Sequence, residues 1–194
     1  MQLIYRENEE GSVIKGIGLP AFIHNGGYHQ VLIGVYEDGI IDCWELVNLE
    51  EFKERVRSGW VVTEVPRGAP VNCHHLSFGK CEVECYVKIE EFVKEVEDVL
   101  REFQGVPTSS KRCLEAFRRY LAAPSVQLRG ALYEAYKAVP EHLREYVLGD
   151  MDSRDGPIRC ILGEQPSRPL TEGDIESWKD HYFPNPNGPS RSTE

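Results

Sequence analysis

Positive charge is what this chain is short of. Its 194 residues hold 22 lysines and arginines against 32 aspartates and glutamates, a formal net charge of −10 at pH 7, with a pI near 5.2. Polyanions need a net or patchy positive field, so nucleic acid and anionic membrane surfaces are excluded as main partners. A basic or neutral partner, protein or small molecule, suits the field better. Long apolar runs are missing too. Nothing approaches the ~18 apolar residues of a membrane span. The opening MQLIYRENEEGS meets its first charge at Arg6 and three acids by Glu10, unlike the basic start and apolar core of a secretion signal. A cytoplasmic, reducing location is expected, and with it six cysteines as thiols rather than disulfides.

Signatures of common chemistries are absent as well. No G-x-S-x-G, H-E-x-x-H or C-x-x-C occurs, nor a Walker lysine pattern. GIGLP (16–20) does not open a helix, so it is no dinucleotide fingerprint. No cofactor is expected.

What is present is an ordinary globular composition, 41% hydrophobic and 28% charged, patterned in two ways. Up to residue 88 the period is mostly two. QLIYR (2–6), SVIKGI (12–17), YHQVLIGVYE (28–37), IIDCWELV (40–47), WVVTEV (60–65), VNCHHLSF (71–78) and CEVECYV (81–87) read as strands. Asp38-Gly39 is a hairpin signal for a two-residue turn. One helix interrupts them, NLEEFKERVRSG, with Asn48 as cap, Glu51 as its capping-box partner and Gly59 ending it.

After residue 88 the period is helical. Ile89, Phe92, Val93, Val96, Val99, Leu100 and Phe103 form one stripe. A second helix carries Leu114, Phe117 and Leu121, a third runs to Pro140, a fourth takes EHLREYVL, and TEGDIESWKDHYF opens with a Thr171/Asp174 capping pattern. GPIRCIL (156–162) reads as strand-like. Residues 89–104 hold six acidic and two basic side chains (−6 + 2 = −4), and 111–137 six basic and two acidic (+6 − 2 = +4), so the second helix is expected to neutralise the first.

The expected architecture is α+β: an antiparallel β-rich sheet or partial barrel over 1–88 with one inserted helix, packed against a helical bundle over 89–183, with a disordered tail at 184–194.

Three clusters are candidate sites. The stretch PVNCHHLSFGKCEVEC (70–85) holds two histidines and three cysteines. Its Cys–Cys spacings do not fit zinc knuckles. Alternation along a strand puts Cys81, Val83, Cys85 and Val87 on one face, as core side chains. No metal is expected, and His74 is the functional candidate there while His75 faces the core. AFIHNGGYHQ places His24 and His29 around Asn25, Gly26 and Gly27, either a ligand-approaching loop with an acid–base histidine or a tight hairpin turn. LGDMDSRDGPIR (148–159) gathers Asp150, Asp152 and Asp155 beside Arg154 and Arg159, but fails the EF-hand spacing. These residues suit a soluble, non-enzymatic binding or regulatory protein acting through the β-rich half, an immunity-type inhibitor of a basic toxin being one version. The alternative is a small hydrolase pairing His24, His29 or His74 with Asp150, Asp152 or Asp155.

HNGGYH (24–29), YEDGIIDCWELV (36–47), SGWVVTEVPRGAPV (58–71) and HHL (74–76) together resemble the N-terminal domain of a group of uncharacterised bacterial proteins, a domain of unknown function. YVLGDMDSRDGPIR (146–159) resembles a segment toward their other end. The resemblance implies a bacterial-type cytoplasmic protein and no assigned activity.

Overall fold

Alternating apolar residues at 19, 21 and 23 and at 31, 33 and 35 demand a two-stranded frame with one buried face, and the chain builds it. In the computed structural model, which describes residues 2–73, 77–80, 87–149, 152–164 and 169–184, β2 (Val13–His24) and β3 (Tyr28–Tyr36) pair antiparallel from Gly16 opposite Tyr36 to His24 opposite Tyr28. β1 (Gln2–Glu7) adds to the outer half of β2 and β6 (Val61–Val62) to its other end. β4 (Ile41–Asp42) and β5 (Leu46–Val47) continue beyond β3. β7 (Pro70–Cys73) joins β3 in parallel and pairs antiparallel with β8 (Ser77–Lys80). The expected antiparallel sheet is therefore present as an open sheet, with one parallel pair.

The inserted helix α1 (Leu49–Arg57) starts as its sequence dictates: the Asn48 side chain accepts from Glu50 and Glu51 N–H, and Glu51 returns a bond to Asn48 N–H. α2 (Ile89–Phe103) lays its stripe on the sheet. Phe92, Val96, Val99 and Leu100 share one core with Leu19, Ile23, Ile33, Val35 and Phe52.

Over residues 1–88 two strand expectations and one turn expectation are corrected. IIDCWELV is two short strands broken at Trp44, whose φ is 72°. Residues 71–78 are not one strand, since Cys73 lies opposite Ser77 across the β7–β8 pair. Asp38-Gly39 does close a hairpin, but Tyr36 N–H donates to Ile40 O at 2.9 Å and only Gly39 of the two has positive φ, 86°. That is a three-residue loop ending in a left-handed glycine rather than a two-residue turn.

The chain divides into two compact units, Met1–Thr108 and Ser109–Glu194. α2 belongs to the first, so the change of period at residue 88 marks a change of secondary structure inside a unit. In the second, α3 (Ser109–Ala122), α4 (Val126–Ala138), a 3-10 helix (Glu141–Tyr146), α5 (Gly156–Leu162) and α6 (Glu172–Tyr182) surround Cys113, Phe117, Leu121, Leu132, Ile158 and Ile161. GPIRCIL is thus helix, not strand: its buried positions Pro157, Ile158 and Ile161 repeat at three to four residues, and Gly163 closes it with φ 79°. EHLREY forms a 3-10 rather than an α-helix. Residues 185–194 of the expected tail lie outside the described residues.

Candidate functional site

Five aromatic rings lie about the β2–β3 hairpin end in two groups, His24 with Tyr28 on one face and His29, Trp44 and Trp60 on the other. His29 lies opposite Ile23 and so faces the core side of the sheet, while His24 faces the other side, opposite and stacked on Tyr28 at 4.6 Å between centroids. His29 meets Trp44 at 5.0 Å, and Trp44 meets Trp60 edge-on at 6.1 Å. Asn25, Gly26 and Gly27 form the connecting loop: Asn25 N–H donates to Gly27 O at 3.0 Å, and Gly26 has φ 66°.

Among the described residues two non-glycine residues have positive φ, Trp44 at 72° and Arg154 at 50°, and Trp44 is the bulkier. A left-handed backbone is rare for a bulky side chain, and its surroundings enforce it. Trp44 N–H donates to Asp42 Oδ1 at 3.0 Å, Cys43 N–H to Glu45 O at 3.1 Å, and Trp60 Nε1–H to Cys43 O at 3.1 Å. Glu45 is ion-paired with Arg55, whose guanidinium sits 5.9 Å from the Trp60 ring. The result holds the indole 49% exposed, two residues from Leu46 at 59%. An acidic cleft of about 510 Å³ adjoins it, lined by Glu45, Leu46, Val47, Glu51, Glu54, Arg55 and Ser58.

The second unit carries a charged cleft of about 450 Å³. It is lined by Lys137, Arg144, Arg154 and Arg159 against Glu141, Glu145, Asp155 and Glu164, with Tyr136 and His142. The Tyr136 hydroxyl donates to Asp155 Oδ2 at 2.5 Å; burial, then this bond, raises its pKa. Arg144 lies 5.3 Å from the Tyr136 ring and donates to Val139 O and Lys137 O at 3.1 and 3.2 Å. Lys137 pairs with Glu164 at 2.9 Å and Arg154 with Glu145 at 2.8 Å.

Residues 3–107 match the family model of a domain of unknown function, DUF7638. The chain belongs to the DUF7638 family. Residues 108–190 match a second domain of unknown function, DUF7639. No curated protein and no solved structure matches the chain.

In the DUF7638 part, His24 and His29 point to opposite faces of the hairpin, and neither forms a hydrogen bond to a carboxylate among the described residues. His74, with Cys81 and Cys85, lies outside the described residues. In the DUF7639 part the structure brings Asp155, Arg154 and Arg159 to one cleft. Asp152 is exposed and not among the cleft's lining, and Asp150 lies outside the described residues. Among the described residues no three His, Cys, Asp or Glu side chains are grouped to hold a metal ion, and no helix is long and apolar enough to cross a membrane. Cys43, Cys73, Cys113 and Cys160 form no disulfide with one another. Sequence reasoning missed Trp44, Trp60, Tyr136, Lys137 and Arg144. The signal for the first two was their flanking of a helix cap within seventeen residues; Tyr136 and Lys137 lay hidden in a helix that reads as ordinary.

Proposed function

We propose that this protein is a non-enzymatic binding protein that takes a basic partner through the aromatic edge of its DUF7638 domain. The observation that supports this is Trp44. Backbone strain in a bulky residue is retained where the surroundings over-determine it, and such sites cluster at ligand-binding positions. Here the strain holds a half-exposed indole beside a glutamate-lined cleft. Tryptophan is among the residues that most often anchor interfaces, and its ring face attracts cations. The acidic field of the chain steers the same class of partner toward it. An immunity-type pairing with a basic toxin is the concrete form this takes.

Labelled synthetic peptides rich in arginine and lysine, set against glutamate-rich and neutral ones, test the reading by fluorescence anisotropy at low and high salt. Basic peptides should bind the full chain at low salt and weaken as salt rises. Trp44→Ala should weaken them at least about tenfold, the loss of a strong interface anchor, with its circular dichroism unchanged. Absence of binding by any basic peptide, or equal binding by the folded Trp44→Ala variant, overturns the proposal.

A further inference from the structure

Asp155 and Arg159 are one helical turn apart, with the acid on the N-terminal side, the orientation in which an i, i+4 ion pair forms most readily. They line the same cleft, yet they form no ion pair. Instead, the Tyr136 hydroxyl donates to Asp155 Oδ2 at 2.5 Å. The other three cations of the cleft are engaged, Lys137 with Glu164, Arg154 with Glu145, and Arg144 with two main-chain carbonyls. Among the described residues the Arg159 guanidinium has no hydrogen bond, ion pair or ring contact, and Asp155 Oδ1 has no donor. The cleft thus presents one open guanidinium fork and one open carboxylate oxygen, both on half-buried residues.

We propose that this cleft binds a small zwitterion of the amino-acid type, its carboxylate on Arg159 and its ammonium on Asp155. A guanidinium presents paired N–H donors that match a carboxylate bidentately, and a carboxylate accepts from an ammonium. The cleft has four cations against four carboxylates, so a ligand of one sign leaves an imbalance that a zwitterion does not. A polyphosphate meets Glu141, Glu145 and Glu164 as repulsion. The volume, about 450 Å³, is at the small end of the range for ligand pockets, about 300–1,000 Å³. The site lies in the DUF7639 part and is independent of the Trp44 edge.

The test uses the full chain and the twenty common L-amino acids, screened by thermal shift, with calorimetric titration of those that stabilise. At least one amino acid should bind. Its carboxamide and its N-acetyl derivative, each lacking one charge, should bind at least about tenfold more weakly, as loss of a charge-assisted hydrogen bond implies. Arg159→Gln should weaken the amino acid similarly and no longer distinguish acid from amide. Asp155→Asn, which keeps an acceptor for Tyr136, should no longer distinguish amine from N-acetyl. If no amino acid binds, or if amide or N-acetyl forms bind as tightly as the parent, the proposal is wrong. Should Asp155→Asn fail to fold, the half-buried Arg159→Gln and the ligand pair still decide it.

Discussion

At φ 72° the Trp44 Cβ crowds the following carbonyl, a conformation that costs an L-residue about 1–2 kcal/mol and glycine nearly nothing. Two substitutions separate this strain from the indole's contacts with His29 and Trp60. Trp44→Ala and Trp44→Gly both lose the ring, but only alanine keeps the strain. The glycine variant should be more stable than the alanine variant by about 1 kcal/mol, the reverse of their usual order, as measured by urea denaturation. Equal stabilities would mean the turn relaxes once the ring is gone. A second close approach sits under Tyr36, whose ring covers two strand glycines. A Cβ at Gly34 meets Tyr36 Cε2 at 2.8 Å and at Gly16 meets both Tyr36 Cδ1 at 2.5 Å and the Val35 carbonyl oxygen at 2.9 Å. Arg6 holds the ring from 4.9 Å while pairing with Asp38. Gly34→Ala should cost about 1–3 kcal/mol by overpacking, and less in a Tyr36→Leu background, because the obstacle is a side chain. Gly16→Ala should stay costly in that background, since the Val35 oxygen is main chain; denaturation midpoints of the three single and two double variants check the coupling. None of this was legible in the sequence. IIDCWELV has the composition of a strand, and a left-handed tryptophan leaves no trace in composition because its neighbours, not its own propensity, impose it.

Helices were legible where a local rule fixes them. Asn48 with Glu51 and Thr171 with Asp174 each form the capping box that their spacing implies, because a cap is satisfied within four residues. Asn48→Ala removes the acceptor for Glu50 and Glu51 N–H at 2.9 and 3.0 Å and should cost about 1 kcal/mol. Thr171→Ala should cost more. Its hydroxyl also donates to the buried Asp174 carboxylate at 2.5 Å, and a bond to a charged, buried acceptor is worth about 1.5–3 kcal/mol. Urea denaturation of the two single variants ranks them; an equal cost would show the Asp174 bond contributes nothing. α5 was illegible for the opposite reason. Seven residues with five apolar ones satisfy either period, and only the packing of Ile158 and Ile161 into the second core selects helix. The same holds for the charged cleft: Arg154, Asp155 and Arg159 lie within six residues and were visible, whereas Tyr136, Lys137 and Arg144 reach them only through the fold.

Across the whole molecule, the two compact units end and begin within a residue or two of the two family matches, at 107–109. The boundary escaped sequence reasoning because α2 differs in period from the strands but needs their sheet to cover its stripe. The second unit's core places a titratable group where pH acts on stability. Burial pushes the Cys113 thiol from 9.0 up to about 12, against the opposing charge of nearby Arg144. The folded pKa is the higher one, so the stabilising effect is complete below pH 9, where both states hold the proton, and is lost as pH rises from 9 toward 12. Above the unfolded value the slope for one proton is about 1.4 kcal/mol per pH unit. Tyr136, also raised, adds its own loss only above its ordinary 10.0, so from pH 9 to 10 the loss comes from the buried thiols, Cys113 and the likewise raised Cys43, and the Cys113→Ala comparison separates the two. Cys113→Ala should be less stable than the native chain at neutral pH, through the small cavity it leaves. Across that interval its unfolding free energy should fall less steeply, so the two curves converge. Parallel curves in urea denaturation at stepped pH would place the Cys113 proton outside the energetics of the fold.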